Sequence, residues 1–237
     1  MATQNLLQIF ADIRVFFLGA LQNLPLAVAG TLLFLGLMTA NYGMLFLVLA
    51  MLTVVPATTL ALNFAGDLLS NLIPMDWFEV TPSELCDLII DFAATSNRPQ
   101  VVISTYWSSM TFFFLAYVLT NAVYLYSMPA NIPKDATDEL KQELQSKVSL
   151  RNSQAILCSI VVLLFAIMLV LYRLNNGCES ILSLLISIAV FSSIGVGWYS
   201  FLSSIGNNRL SDLFGVANRL LSPQAYGSQP LACLPMS

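Results

Sequence analysis

Apolar residues run along this chain in long blocks separated by short polar clusters, and the blocks predict the elements. In residues 5–21, Leu6, Ile9, Phe10, Ile13, Phe17 and Ala20 recur at helical spacing while Gln8, Asp12 and Arg14 fall elsewhere. That pattern predicts an amphipathic helix lying in the membrane interface. After Pro25, residues 26–40 and 43–64 carry no charge, and each approaches the ~20 residues needed to cross a ~30 Å hydrocarbon core. Asn41-Tyr42-Gly43 is the turn between them, so 26–64 reads as a transmembrane hairpin with a kink at Pro56.

Residues 65–100 are a polar excursion with six acids (Asp67, Asp76, Glu79, Glu84, Asp87, Asp91) against Arg98. Inside it, Thr81, Pro82 and Glu84 form a capping-box pattern that opens a short helix with Leu85, Leu88, Ile89 and Phe92 on one face. Residues 101–126 are the third span, with aromatics at both ends as an interfacial belt requires. Pro129 and Pro133 break the chain, and 128–153 becomes a charged helical loop. Lys134/Asp138 and Glu143/Lys147 stand four apart there, and Ala136, Leu140, Leu144 and Val148 form a narrow apolar stripe. Spans at 155–172 and 180–201 follow, the second rich in the Ser and Gly that favour close helix contact.

Leu210, Leu213, Phe214, Ala217, Leu220 and Leu221 then repeat at helical spacing across 207–221, with Arg209, Asp212, Asn218 and Arg219 off the stripe. This predicts a second interfacial helix capped by Asn208 and stopped at Ser222-Pro223, or else a continuation of the bundle core. Residues 222–237 remain as an extended tail. The expected fold is all-α: one membrane domain, 1–237, a polytopic transmembrane bundle of about five spans with interfacial helices.

Composition agrees with that class and narrows the chemistry. Charged residues are 9% of the 237, against about 25% in soluble domains. Only nine Lys and Arg are present and the net charge is −4, so no cationic patch exists to displace counterions from a nucleic acid. Histidine is absent, which removes the commonest general base and metal ligand. The four cysteines lack CxxC spacing, so zinc and thioredoxin-like readings fail, and no N-x-S/T sequon occurs. The expectation is a protein that is not an enzyme, with no cofactor, metal or nucleic-acid partner. The N-terminus lacks a basic region ahead of a cleavable apolar run and reads as mature protein rather than signal peptide.

Six basic residues (Lys134, Lys141, Lys147, Arg151, Arg209, Arg219) fall on one side of a five-span arrangement, against Arg14, Arg98 and Arg173 on the other. The bias predicts a cytoplasmic C-terminus and 128–153 loop. No ionisable residue lies in a span core, which argues against charge-coupled transport. Arg173 and Glu179 stand at span ends, where snorkelling accounts for them. Asn63, Thr111, Asn121 and the serines of the fifth span read as polar glue between helices, or as the lining of a neutral pore. Glu84, Asp87 and Asp91, at i, i+3 and i+7, are a solvated face or a hard-cation site. Cys86 and Cys178 fall on the same, non-cytoplasmic side and are a candidate disulfide. Cys158 reads as a buried thiol. Cys233 is followed by four residues and so is no prenylation box, with palmitoylation left open.

From residue 121 onward the chain reads NAVYLYSMPANIPKD, LYRLNNGCES, GVGWYSF and RLSDLFGVANRLLSPQAYGSQPLACLPMS. This half resembles multi-span membrane proteins of nucleocytoplasmic large DNA viruses, the phycodnavirus and mimivirus-like group, most of all in the DLFGVANRLL-SP tail ending in ACLP. The resemblance implies a protein of the virion inner membrane, beneath an icosahedral capsid and in contact with minor capsid proteins. On that expectation the chain is a structural membrane protein whose partners are the lipid bilayer and other membrane or capsid proteins, with a homo-oligomer left open. Tyr226, Leu231, Leu234 and Met236 are the spaced apolar anchors of a tail whose prolines lower the cost of ordering it, and Leu140 and Leu144 offer a second contact. The alternatives are a channel or transporter for a neutral solute and an accessory subunit of an organellar membrane complex.

Overall fold

The computed structural model describes Phe16, residues 19–70, 78–80, Cys86, 100–129, 138–206, Leu210, Ser211 and Leu213. Its elements are α1 (Leu24–Met38), α2 (Tyr42–Leu52), α3 (Val54–Ser70), β1 (Glu79–Val80), β2 (Gln100–Val101), α4 (Tyr106–Ser127), α5 (Asp138–Asn175) and α6 (Ile181–Gly206). The fold is an all-α bundle, with one two-residue antiparallel strand pair, Glu79 opposite Val101, beside it.

Among the described residues four segments are long and apolar enough to cross a membrane: Tyr42–Leu69, Tyr106–Ser127, Lys141–Asn175 and Ile181–Ile205. The first of the five expected spans is the exception. With 15 residues, α1 is about 22 Å long, short of a ~30 Å hydrocarbon core. It ends where Asn41 N–H donates to the Gly36 carbonyl at 2.9 Å and Ala40 N–H to that of Leu37 at 3.4 Å. This is a Schellman closure, with Ala40 in the left-handed region at φ 50°. Asn41 then caps α2, its Oδ1 accepting from Gly43 N–H at 3.0 Å.

The kink expected at Pro56 lies three residues earlier. Thr53, at φ −121° and ψ −60°, separates α2 from α3, and Pro56 becomes the third residue of α3. A proline there would press its ring on the carbonyl four residues back in a continuous helix, and its missing N–H costs nothing in a first turn. The chain yields at Thr53 instead.

The charged 128–153 loop and the fourth span are likewise not separate. From Asp138 to Asn175 they form one 38-residue helix, because Leu150-Arg151-Asn152-Ser153-Gln154 contains neither Pro nor Gly to break it. Its outer turns carry the expected Glu143–Lys147 pair at 2.7 Å, whose hydrogen bond and charge hold the Glu143 carboxyl below its usual range, while Asp138 pairs with Lys141 at 3.6 Å. The third span starts later than expected, at Tyr106, since Thr105 N-caps α4.

Burial runs inside out, as a bilayer requires. The most apolar span, in α5, has only 11% of its apolar window buried, and Leu157, Val161, Leu164 and Ile167 face outward. By contrast α4 has 67% buried and packs against α3, α5 and α6. Trp107, Phe113 and Tyr117 of α4 lie in the core with Leu47, Met51, Leu169 and Phe191. The α4–α6 crossing is close: a Cβ on Gly195 would stand 2.5 Å from the Phe113 carbonyl. Tyr199 packs edge-on against Tyr117, with ring centroids 5.4 Å apart.

Where 207–221 is described, it is not a lipid-facing helix. Leu210, Ser211 and Leu213 are in turn conformation, with Ser211 and Leu213 buried. Tyr117 Oη donates to the Ser211 carbonyl at 3.2 Å and Asn41 Nδ2 to that of Leu213 at 3.3 Å. These side-chain bonds satisfy carbonyls that a helix would have used itself, so this part of the stripe belongs to the core. Phe214, Ala217, Leu220 and Leu221 lie outside the described residues. So do most of the 5–21 helix, Glu84, Asp87 and Asp91, and the tail with Tyr226, Leu231, Leu234, Met236 and Cys233.

Candidate functional site

The most concentrated chemistry lies where α5 turns into α6. Gly177, at φ 63°, closes α5 with a second Schellman motif: Cys178 N–H bonds to the Arg173 carbonyl and Gly177 N–H to that of Leu174, both at 3.1 Å. The closure turns Cys178 and Glu179 back over the helix end. Glu179 Oε1 then accepts from Arg173 Nη2 at 2.8 Å and Nε at 3.2 Å, and from the Thr105 hydroxyl. Both charged side chains are 1% exposed.

Snorkelling therefore does not describe Arg173 and Glu179: each turns inward and the two neutralise each other. Arg173 also donates through Nη1 to the Cys86 carbonyl at 3.3 Å, and its guanidinium stands 4.7 Å from the Trp107 ring centroid. Trp107 in turn donates to the Leu21 carbonyl at 3.0 Å. Cys86 and Cys178 are joined by a disulfide with a Cα–Cα distance of 5.2 Å, so the covalent bond and the Arg173 contact tie the same two segments.

Below the ion pair a chain of hydroxyls crosses the bundle. Thr59 of α3 donates to Ser109 of α4 at 2.9 Å, Ser109 meets Ser104 at 2.8 Å, and Ser187 of α6 donates to Ser104 at 2.8 Å. Ser183 bonds the Ile103 carbonyl at 2.8 Å. Asn63 pins the same segment: its Oδ1 accepts from the Ile103 and Ser104 amides, and its Nδ2 donates to the Ser104 carbonyl, all within 3.1 Å. The irregular stretch 103–105 is thus the hub on which α3, α4, α5 and α6 meet. Its buried backbone would be orphaned without these side chains.

A hydroxyl bonded to a carboxylate has the outline of a nucleophile and base. In this site the Thr105 hydroxyl also caps α4, accepting from Ser108 N–H at 3.3 Å, and Arg173 shares the same carboxylate oxygen. Those roles are structural. Ser104, Ser108, Ser109, Ser183 and Ser187 are fully buried and bonded inward, and among the described residues no group of three His, Cys, Asp or Glu is placed to hold a metal. Asn63 and the α6 serines Ser183 and Ser187 act as glue between elements, and Thr111 bonds its own helix at the Trp107 carbonyl. Asn121 differs: its buried Oδ1 has no hydrogen-bond partner.

Sequence reasoning missed the ion pair although a signal existed. Arg173 and Glu179 are the only charged residues between Arg151 and Arg209, and they flank Cys178. Of the residues expected to meet partners, Leu144 is half-buried on α5, while the Leu140 side chain lies outside the description.

Fold and site together define a class: an integral membrane helical bundle, locked at one end by a buried ion pair, a hydroxyl relay and a disulfide. Comparison of the chain with family models, curated proteins and solved structures finds no match.

Proposed function

We propose that the protein is a structural, non-catalytic membrane component of a large assembly. The observation that carries this reading is the use made of its polar side chains. Thr59, Asn63, Ser104, Ser109, Ser183, Ser187, Arg173 and Glu179 bond helix to helix rather than facing a common passage. Such a network rigidifies a scaffold, and within it the charges of Arg173 and Glu179 neutralise each other rather than standing ready to couple to transport. Rigid membrane anchors present their outer segments to partners, and the charged first half of α5 with the 222–237 tail fills that role. The basic bias places both on the cytoplasmic side and Cys86–Cys178 on the oxidising one. The assembly is a virion whose inner membrane underlies a capsid, a reading that comes from the resemblance of residues 121–237 and not from the bundle.

Deleting 222–237 tests the proposal. The truncated chain is expected to insert normally but to be absent from the purified assembly, and normal incorporation would refute it. Mass spectrometry of what co-purifies in mild detergent separates capsid from organellar partners. Flux of a neutral solute through reconstituted protein above that of empty vesicles would favour a channel instead.

A further inference from the structure

The carbonyl of Leu21 is the one that Pro25 orphans, since a proline has no N–H to give the residue four back. Another element supplies the donor: Trp107 Nε1 of α4 bonds that carbonyl at 3.0 Å. Helical bonding continues on both sides of the proline. Asn23 donates to the Gly19 carbonyl through its N–H at 3.2 Å and its Nδ2 at 3.1 Å, and Ala27 N–H donates to the Asn23 carbonyl at 2.9 Å. Residues 19–22 are themselves helical, and Asn23, at φ −94° and ψ 6°, carries the bend. The helix that α1 alone leaves too short is therefore longer. At about 1.5 Å per residue, 19–38 reach about 30 Å, the depth of the hydrocarbon core. No charge occurs anywhere in 15–66.

The two ends of this helix lie at opposite ends of the bundle. Leu21 is held at Trp107, in the first turn of α4 and beside Arg173. Asn41 opens the span Tyr42–Leu69, whose other end Asn63 pins to Ile103 and Ser104 at the ion-pair end. We propose that residues 19–38 make a fifth crossing hinged at Pro25, and that Trp107 is the clamp that holds the hinge. Inside a membrane a carbonyl left open by proline must be satisfied by a neighbouring element. Here that neighbour is the ring over which the Arg173 guanidinium stands at 4.7 Å. The first crossing packs chiefly on α2 and turns Leu33, Phe34 and Leu37 outward, so the indole bond joins its outer turn to the ion-pair end. A change at the Arg173–Glu179 pair thereby reaches the hinge through one ring. The device is independent of which assembly the protein joins.

Two measurements on the full chain test this. Epitope tags at the two termini, probed by protease in sealed vesicles, should be cut from opposite faces, because five crossings separate them. Cutting of both from one face overturns the fifth crossing. Pulsed electron paramagnetic resonance reads the hinge, with spin labels on the exposed positions Ala20→Cys and Thr39→Cys, and with Cys158→Ser and Cys233→Ser. A straight helix would separate the labelled positions by about 28 Å, and the wild-type bend should give one narrow distance below that value. Trp107→Phe keeps a ring beside Arg173 and loses the N–H, and should at least double the width of the distance distribution. Pro25→Ala restores an N–H for the Leu21 carbonyl. It should straighten the helix, lengthen the distance and make the width indifferent to Trp107→Phe. Should Trp107→Phe fail to fold, the lengthening in Pro25→Ala carries the test. An unchanged width in Trp107→Phe, an equal broadening with Pro25→Ala present, or an unchanged distance in Pro25→Ala overturns the clamp.

Discussion

Removing one member of the Arg173–Glu179 pair is the sharpest test of how this bundle is held. Breaking a buried ion pair by deleting one partner costs about 3–5 kcal/mol, because the survivor stays buried and uncompensated. The surroundings decide where each substitution falls in that range. In Glu179→Gln the guanidinium keeps the Thr105 hydroxyl, the Cys86 carbonyl and the Trp107 face. Cation–π contact alone is worth about 2 kcal/mol when desolvated, so this variant sits at the low end, near 3 kcal/mol. In Arg173→Met the carboxylate keeps only the Thr105 hydroxyl on Oε1 and has no hydrogen bond on Oε2. That variant sits at the upper end, near 5 kcal/mol.

The double variant Arg173→Met with Glu179→Met removes both charges and leaves the Cys86 carbonyl and Thr105 hydroxyl to find other partners, a cost of about 1–3 kcal/mol. The two sites should therefore be coupled by more than about 3 kcal/mol. Equilibrium unfolding of the full chain in mixed micelles, followed by tryptophan fluorescence, measures the cycle. Additivity within about 0.5 kcal/mol would refute the reasoning, as it would show that the two charges do not depend on each other.

Other consequences are simpler to check. The Cys86–Cys178 bond closes a 92-residue separation, for which the chain-entropy relation sets a ceiling of about 4.6 kcal/mol; wild type should shift in gel mobility on reduction and Cys86→Ser should not, and identical behaviour of the two would count against the bond. Ala40 and Gly177 occupy the same left-handed position in two Schellman closures, so Ala40→Gly should stabilise by about 0.5–1 kcal/mol and Gly177→Ala destabilise by about 1–2 kcal/mol in the same unfolding assay. Gly195→Ala places a methyl against the Phe113 carbonyl and should cost about 1–3 kcal/mol, whereas Gly197→Ala, with open space around it, should cost nothing comparable.

The bundle was legible because hydrocarbon imposes one rule on every spanning segment: backbone bonds must close within the helix, and outward side chains must be apolar. Long uncharged blocks in 43–64, 101–126, 155–172 and 180–201 report that rule directly. The candidate disulfide followed from topology alone, since two cysteines in connections on the same side can meet. Helix ends were harder. Nothing local says that Thr53 yields in place of Pro56, or that α5 continues unbroken through Arg151.

What the sequence by itself determined is the class, an all-helical membrane bundle without a histidine or a metal-spaced cysteine pair, because composition and block length act locally. Only the tertiary structure decided which polar residues are spent inside it. Arg173 and Glu179 read as two surface charges until the Gly177 turn folds one onto the other. Asn63 and Asn121 look alike in sequence; one is saturated by the 103–104 backbone, the other has no hydrogen-bond partner on its buried Oδ1. The physical reason is common to both cases: the cost of burying a polar atom depends on what lies within about 3 Å of it, and that is set by how the chain folds, through a turn six residues wide for Arg173 and Glu179 and across about 40 residues for Asn63.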